Sequence, residues 1–254
     1  MSGYEPIGAL VRGLRVLHAL NENGPMTVGE LHKSTGIAKP TVVRVIQTLQ
    51  SAGYVGQRDR ELRYAVTAKV LQLGNGYNEQ QHLLAVATPL LDRFRELVTW
   101  PVEIGVFDHD AMVILNTSRR PGFLSVNRRA GSRVPLLRTS LGRAYLGALP
   151  DEQLHSILAQ IARNPDPDFD LARAPRKFWS LIRLVRKNGY GFSDRETISN
   201  GRTLASAIRR GDSPIASVNI VVLASAMSMK EIETKFGPRI IDLARRISKA
   251  LVAG

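Results

Sequence analysis

Apolar residues recur at helical spacing in three consecutive segments near the start of the chain. The first segment predicts a helix over residues 7–21, which Asn23-Gly24-Pro25 ends. A second, short helix is predicted to begin at Thr27, because Thr27 and Glu30 have the spacing of a capping box. The third segment follows Gly36, a residue that accommodates the positive φ found where a helix ends and the chain turns.

The third helix is predicted to bury one stripe and expose a polar face. Its buried stripe consists of Val42, Val45, Ile46 and Leu49. Two short strands, Tyr54-Val55 and residues 62–66, then enclose an arginine-rich turn. This order of helix, turn, helix and basic hairpin is typical of a winged helix-turn-helix, which places one helix in the DNA major groove.

The side chains expected to contact DNA are donors and small polar groups suited to phosphates and base edges. They lie at the start and on the exposed face of the third helix, at the cap of the second helix and in the hairpin. They are Thr27, Lys39, Pro40, Thr41, Arg44, Gln47, Thr48, Arg58, Arg60 and Arg63. A pair of amphipathic helices with solvated polar faces is the alternative, and for Arg44 a surface role without a base contact stays equally open.

The rest of the chain mixes helices and strands. A helical linker is predicted from residue 67 to about 78 and a longer helix over 81–97. Strands are predicted at 102–107, 112–116, 204–208 and 215–223, with a possible strand at 124–127. Helices are predicted at 141–149, 151–161, 176–187 and 229–252, and residues 164–175 are predicted to form a loop. The fold class expected is α+β, with helices against an antiparallel sheet.

Composition excludes several classes of site. The chain has 254 residues and no cysteine, so disulfides, thiolate catalysis and cysteine-based zinc sites are excluded. The five histidines are scattered, and no catalytic constellation, phosphate loop or cofactor motif is present, so neither an enzyme nor a bound metal or cofactor is expected. We see no leader segment and no apolar run of membrane-spanning length, and we expect a cytoplasmic protein.

The positive charge is unevenly distributed. The net charge is +13, but residues 1–66 hold eight Lys or Arg and five Asp or Glu, a net of only +3. Between Arg119 and Arg143 there are seven arginines and no acidic residue. A basic protein favours polyanionic partners, but this distribution gives the second half of the chain its own reason to be basic.

Several segments together resemble the IclR family of bacterial transcription regulators. The likeness covers nearly the whole chain. It includes TVGELHKSTGIAKPTVVRVIQTLQSAGYV, RYAVTAKVLQLG, GSRVPLLRTSLGRAYLGALP and KNGYGFSDRE. Within the family, TWPVEIGVFDHDAMVI, DLARAP and ASAMSMKE resemble segments of activators of 3-hydroxyphenylpropionate catabolism. The resemblance implies a DNA-binding domain at 6–67, a linker helix at 68–80, a GAF-like effector domain at 81–254, and dimers that often pair into tetramers.

The resemblance also implies an effector pocket in the second domain. Carried onto this sequence, its residues would be Val134, Leu136, Ser140, Leu141, Ser193, Asp194, Arg195, Thr203, Asn219 and Val221. The chain departs from the common family pattern at Asn219 and Val221, where small hydroxyl residues are usual. The segment after Phe192 also looks one residue longer than in the name-giving member of the family. Both departures favour an effector larger and more apolar than a small keto acid.

An aromatic carboxylate is the effector class expected. Such a ligand needs an apolar slot and a carboxylate anchor, for which Arg138 and Arg195 are the candidates. For each of them a role as a surface arginine without a ligand contact stays equally open. The chain is therefore expected to be a ligand-responsive regulator that binds operator DNA and controls an aromatic-acid catabolic operon. The alternatives are an enzyme with an appended DNA-binding module and an architectural protein that binds DNA without sequence preference.

Overall fold

The computed structural model describes residues 6–58, 62–74, 78–118 and 128–253. The chain divides into two compact units, Met1–Asn78 and Glu79–Gly254. The mixture of a helix-turn-helix unit and a unit with an antiparallel sheet and helices gives the α+β class expected from the sequence.

The first unit consists of three helices followed by a small hairpin. The helices are α1 (Gly8–Asn23), α2 (Val28–Thr35) and α3 (Lys39–Ser51), and strands β1 (Val55–Gln57) and β2 (Tyr64–Val66) pair antiparallel. Val16, Leu20, Leu31, Val42 and Ile46 form the centre of its core. The stripe predicted for α3 thus packs against α1 and α2, which leaves the opposite face of α3 in solvent.

The segment that follows the hairpin differs from the expected linker helix. Residues Ala68–Gly74 form a 3-10 helix, and the next α-helix, α4 (Asn78–Leu97), begins before the predicted residue 81. A 3-10 turn is tighter than an α-helix and is common where helices meet connecting segments. The apolar spacing of residues 67–74 does not distinguish the two helix types.

The second unit is built on a six-stranded antiparallel sheet of order β5-β4-β3-β8-β7-β6. Its strands are β3 (Val102–Asp108), β4 (Ala111–Thr117), β5 (Arg133–Pro135), β6 (Gly191–Asp194), β7 (Gly201–Arg210) and β8 (Ser213–Leu223). Its helices besides α4 are α5 (Ser140–Ala148), α6 (Asp151–Ile161), α7 (Pro175–Asn188) and α8 (Met229–Ala253). One sheet face packs on α4 and α8, and the other packs on α5.

Three parts of this unit differ from the sequence-based predictions. Strands β5 and β6 were not predicted, since they have only three and four residues. Part of the predicted loop 164–175 is a 3-10 helix, Pro167–Arg173. Asp166 caps its N-terminus, because the Asp166 side chain accepts a hydrogen bond from the Asp168 N–H. The possible strand at 124–127 lies outside the described residues.

Candidate DNA interface and effector site

The turn between α2 and α3 is preceded by a complete capping box at the start of α2. The Thr27 N–H donates to Glu30 Oε2 at 2.8 Å, and the Glu30 N–H donates to Thr27 Oγ1 at 3.3 Å. The hydrogen bond from the Thr27 N–H lowers the pKa of Glu30 and so keeps this carboxylate charged. Gly36 ends α2 with a φ of 69°, and Pro40 lies in the first turn of α3.

The face of α3 opposite the core is polar and exposed. Lys39, Pro40, Arg44, Gln47 and Thr48 are exposed, and Thr41 is half-buried. The Thr48 hydroxyl donates to the Arg44 carbonyl at 2.9 Å, within the helix itself. The predicted α3 side chains therefore occupy one accessible surface that a nucleic acid can reach.

The hairpin β1–β2, called the wing from here on, does not present its arginines equally. The Arg58 N–H donates to the Arg63 carbonyl at 2.9 Å, which continues the pairing beyond the strands, and Arg58 is exposed. The Arg63 guanidinium lies against the cap of α2, 3.6 Å from Glu30 and 3.4 Å from the Pro25 carbonyl. Arg60 lies outside the described residues.

A second candidate site lies in the other unit, on the sheet face that carries α5. Ser193 on β6, Thr203 on β7 and Val221 on β8 are neighbours in one cross-strand row. Asn219, two residues from Val221 on β8, lies beside Ala205. These four predicted effector residues are buried and share one face, because side chains two residues apart on a strand point the same way.

The first turn of α5 lies on the same face. Thr139 caps the helix by accepting a hydrogen bond from the Gly142 N–H at 3.2 Å. Ser140 is 0% exposed, and among the described residues its hydroxyl has no hydrogen-bond partner. Leu141 is also fully buried and packs on Gly105 of β3. A buried hydroxyl beside the positive end of a helix dipole is suited to an anionic or polar ligand group.

The remaining predicted effector residues are placed differently. Val134 and Leu136 are buried in the apolar cluster that underlies α5. Arg138 is part-buried and donates to Asp168 and to the Glu196 carbonyl, both at 2.8 Å. Arg195 has a φ of 58° and lies 3.2 Å from Asp194, and its side chain is 57% exposed. Of the two candidate anchors, Arg138 is held in place and Arg195 is mostly in solvent.

Two buried arginines that sequence reasoning did not assign also border this face. Arg143 is held by both oxygens of Glu196, at 2.6 Å each, and by the Leu137 and Phe192 carbonyls. Arg128 lies 3.7 Å from Glu103, a fully buried acid in β3. The signal for Glu103 was present in the sequence, as the one charged residue inside the apolar strand VEIGVF.

Two families of protein domains together match almost the whole chain. The family described as the C-terminal domain of the bacterial transcriptional regulator IclR matches residues 75–249, and the IclR helix-turn-helix domain matches residues 9–59. The chain belongs to the IclR family.

Individual relatives match this chain over nearly the full length of both proteins. The transcriptional repressor IclR of Escherichia coli K12 is 26% identical over 249 residues, which cover 96% of this chain and 90% of the repressor. The structure of an IclR-family transcriptional regulator from Brucella abortus is 26% identical, with a TM-score of 0.69 and coverage of 97% and 93%. An IclR homologue from Microbacterium hydrocarbonoxydans, solved with 4-hydroxybenzoate, is 18% identical, with a TM-score of 0.71 and coverage of 97% and 100%.

Membership in the IclR family makes this chain a DNA-binding transcriptional regulator. The matched domains and relatives are transcriptional regulators and not enzymes, which removes the alternative of an enzyme with an appended DNA-binding module. No helix within the described ranges is long and apolar enough to cross a membrane. In the part of the chain that the structure describes, no three acidic or histidine side chains are grouped as a metal site would require.

The arginine run of this IclR-family chain is largely neutralised by acids from elsewhere in the unit. Four of its described members form ion pairs, which are Arg128–Glu103, Arg133–Asp108, Arg138–Asp168 and Arg143–Glu196. The acidic partners of these arginines lie outside residues 119–143, so the sequence of the run does not show them. The positive field expected around the run is therefore weaker than the sequence indicated.

Proposed function

We propose that this IclR-family chain binds a pseudo-palindromic operator as a dimer or larger oligomer and responds to an aromatic carboxylate bound beside α5. Its target would be an operon for aromatic-acid catabolism. The observation that carries the effector part is the buried Ser140 hydroxyl, which lacks a partner among the described residues at the start of a helix. A ligand acceptor atom at this point would satisfy both the hydroxyl and the α5 N-terminus.

The composition of the sheet face supports a ligand that is partly apolar. Leu141, Leu136 and Val221 supply apolar surface, while Ser193, Thr203 and Asn219 supply a few polar groups. Small-molecule sites in proteins combine an apolar lining with a few placed polar groups in the same way. The 4-hydroxybenzoate bound to the Microbacterium homologue has a matching combination of a ring and a carboxylate.

Arg138 is the better placed of the two candidate carboxylate anchors. It precedes Thr139 and Ser140 directly, and its guanidinium already holds one carboxylate, that of Asp168. An effector carboxylate at the α5 N-terminus could take over part of this contact, because a guanidinium has five donors. To reach the same point, the Arg195 side chain would have to leave solvent and break its contact with Asp194.

The dimer part of the proposal is supported by an uncovered apolar stripe on α1. Ile7, directly before α1, and Leu10 and Leu14 within it are 65%, 59% and 58% exposed, and they lie at helical spacing. Leu10 and Leu14 also border a groove of about 490 Å³ between α1 and α3, and the other wall of this groove includes Arg44 and Thr48 of the predicted DNA-contacting set. We assign this stripe to a second copy of the chain, since a single winged helix contacts too few bases to select an operator.

Binding measurements on the full-length protein test the effector assignment. Thermal-shift screening against aromatic acids comes first, because a ligand at a hundred times its Kd adds about 2.7 kcal/mol of stability. Isothermal titration then compares each acid with its amide. The acid should bind more tightly by about 1.5–3 kcal/mol, and Arg138→Ala should remove most of this difference while operator binding without ligand stays intact. Equal binding of acid and amide to the wild type would refute a carboxylate anchor.

The oligomer is tested separately with Leu10→Glu combined with Leu14→Glu. Because a glutamate pair is costly to bury at an apolar contact, light scattering should report a smaller particle and operator affinity should fall. Leu71→Glu, an exposed leucine outside the stripe, is the matched control. An unchanged particle mass would place the interface elsewhere, whatever happens to operator affinity, because Leu10 and Leu14 line the same groove as Arg44.

A further inference from the structure

A fully buried acid lies next to the proposed effector position. Glu103 is 0% exposed, and Asn219 Nδ2 donates to its Oε2 at 3.1 Å, while Thr117 Oγ1 donates to its Oε1 at 3.4 Å. The Arg128 guanidinium, 6% exposed, lies 3.7 Å from the same carboxylate and donates to Thr197 Oγ1 at 3.3 Å. We call Glu103, Arg128 and Asn219 the acid–amide cluster.

Burying such a charged pair is costly for folding. Charged side chains lose their hydration when they are buried, and apolar replacements of a buried ion pair are often neutral or stabilising. The flanking residues of β3, Val102 and Ile104, pack in the apolar cluster on the other sheet face, whereas on its own face Glu103 is paired with Asn219. Stability alone is therefore a weak reason for an ion pair at this position.

The acid–amide cluster lies on the same sheet face as the proposed site. Glu103 and Gly105 are two residues apart on β3 and lie on the same sheet face, and Leu141 packs on Gly105. Asn219 is likewise two residues from Val221 on β8, and Val221 pairs with Thr203. The cluster thus lies on the sheet face that the first turn of α5 covers, two residues along β3 from the contact of Leu141.

The chemistry of the two sides differs. The α5 N-terminus with Ser140 favours a negative group, whereas the Glu103 carboxylate repels one. Glu103 accepts hydrogen bonds, and the Arg128 and Asn219 side chains can donate them. A hydroxyl group, which both donates and accepts, matches this cluster, and a second carboxylate does not.

From this arrangement we infer that Glu103, with Arg128 and Asn219, binds a hydroxyl group of the effector at the end opposite its carboxylate. The cluster selects hydroxylated aromatic acids over their parents that lack the hydroxyl. This inference rests on the proposed function, since it assumes that an aromatic acid binds beside α5. It adds a specificity-determining residue, Glu103, and an orientation of the ligand.

The test uses matched ligand pairs on the full-length protein. Isothermal titration compares 4-hydroxybenzoate with benzoate, and 3-hydroxyphenylpropionate with phenylpropionate. The wild type should prefer the hydroxylated member of at least one pair by about tenfold or more, which corresponds to about 1.4 kcal/mol. Glu103→Gln should reduce this preference to within about threefold and leave the affinity for the parent acid nearly unchanged.

A second variant guards against loss of folding. Glu103→Gln leaves the Arg128 charge without its acid, so Glu103→Gln combined with Arg128→Gln removes both charges together. This double variant should show the same loss of preference, with an unchanged circular dichroism spectrum. Asp151→Asn is the control, because Asp151 pairs with Arg186 at the surface of α6 and should not alter the preference.

The outcomes separate the inference from the function on which it rests. The deciding quantity is the ratio of the affinity for the hydroxylated acid to the affinity for its parent acid. A wild-type ratio near one for both pairs, or a ratio that both variants leave unchanged, would overturn the role of the cluster but not the effector site. Absence of binding for all four acids would overturn the proposed effector class and this inference with it. If the Glu103–Arg128 ion pair has only a structural role, Glu103→Gln should lower the melting temperature without changing the ratio of the two affinities. That result also overturns the inference.

Discussion

In the first unit the polar side chains of α3 lie on an exposed helix face, whereas in the second unit the polar side chains beside α5 are buried. Arg44 is exposed and forms no ion pair within the described residues, while Arg143 is buried and held by Glu196. DNA presents a dense row of phosphates, which requires exposed cations whose charge is not already compensated. A small ligand requires the opposite, a buried surface with a few fixed donors and acceptors.

The same difference explains why net charge is a poor guide to the DNA-binding surface. The second unit carries most of the positive charge, yet much of its arginine run is ion-paired. The first unit is only weakly basic, but its cations on α3 and at Arg58 lie where a phosphate can approach. The distribution of accessible charge identifies the partner of each unit better than its sum does.

Gly142→Ala should have the largest effect of any single change proposed for either unit. A Cβ on Gly142 would overlap the Leu136 carbonyl, with the carbonyl carbon at 2.6 Å, and this neighbour is backbone that cannot turn aside. We expect a decrease of about 3 kcal/mol or more in unfolding free energy, since overpacking against a fixed neighbour forces the first turn of α5 away from the segment at Leu136 that precedes it. Thermal or urea unfolding of the full chain measures it.

Gly147→Ala on the same helix is the matched control for this change. Its Cβ would meet a methyl group of Val185, 2.6 Å away, which is a side chain and can shift. It should therefore cost less than Gly142→Ala, and effector binding should persist. Equal destabilisation by the two variants would mean that the contact between Gly142 and the Leu136 backbone does not limit the packing of α5.

Arg44→Ala should weaken specific operator binding by about 1–3 kcal/mol if Arg44 contacts a base. The variant should also relax preference at one position of the operator, as competition with single-base operator variants would show. Lys33→Ala, on α2 and outside the predicted DNA-contacting set, serves as the surface control. If affinity falls equally for all sequences, Arg44 contacts a phosphate and the base contact is refuted.

The wing should supply salt-dependent affinity with little sequence preference. Replacing Arg58 and Arg60 together should flatten the slope of log K against log salt by about 1.8, because each phosphate that a cation neutralises contributes about 0.9 to the slope. Arg63→Ala should change the slope less, because its guanidinium lies against Glu30 and Pro25. An unchanged slope for the Arg58 and Arg60 pair would mean that the wing does not touch DNA.

The sequence predicted those parts of the molecule that local chemistry determines. The capping box at Thr27 and the positive φ of Gly36 depend on neighbours within a few residues, and both were predicted correctly. Strands β5 and β6 were missed, since three or four residues carry too little periodicity. The helical segment predicted from residue 67 is a 3-10 helix at Ala68–Gly74, and apolar spacing does not distinguish the two helix types. Ion pairing was also invisible, because Glu103 and Arg128 come together only through the tertiary fold.

Gly13→Ala should have the smallest effect, and it should be stabilising. Gly13 lies inside α1, and nothing stands within 4 Å of the position that its Cβ would take. Alanine is favoured over glycine in a helix interior by up to about 1 kcal/mol, partly because it restricts the unfolded chain. The expected increase in unfolding free energy contrasts with the decrease at Gly142, where the same methyl group meets backbone. Unfolding of the variant at low protein concentration measures the increase. At high protein concentration, the variant could instead be less stable than the wild type or bind the operator more weakly. In that case a second copy approaches α1 at this glycine, and the methyl group interferes with the dimer contact proposed for Leu10 and Leu14.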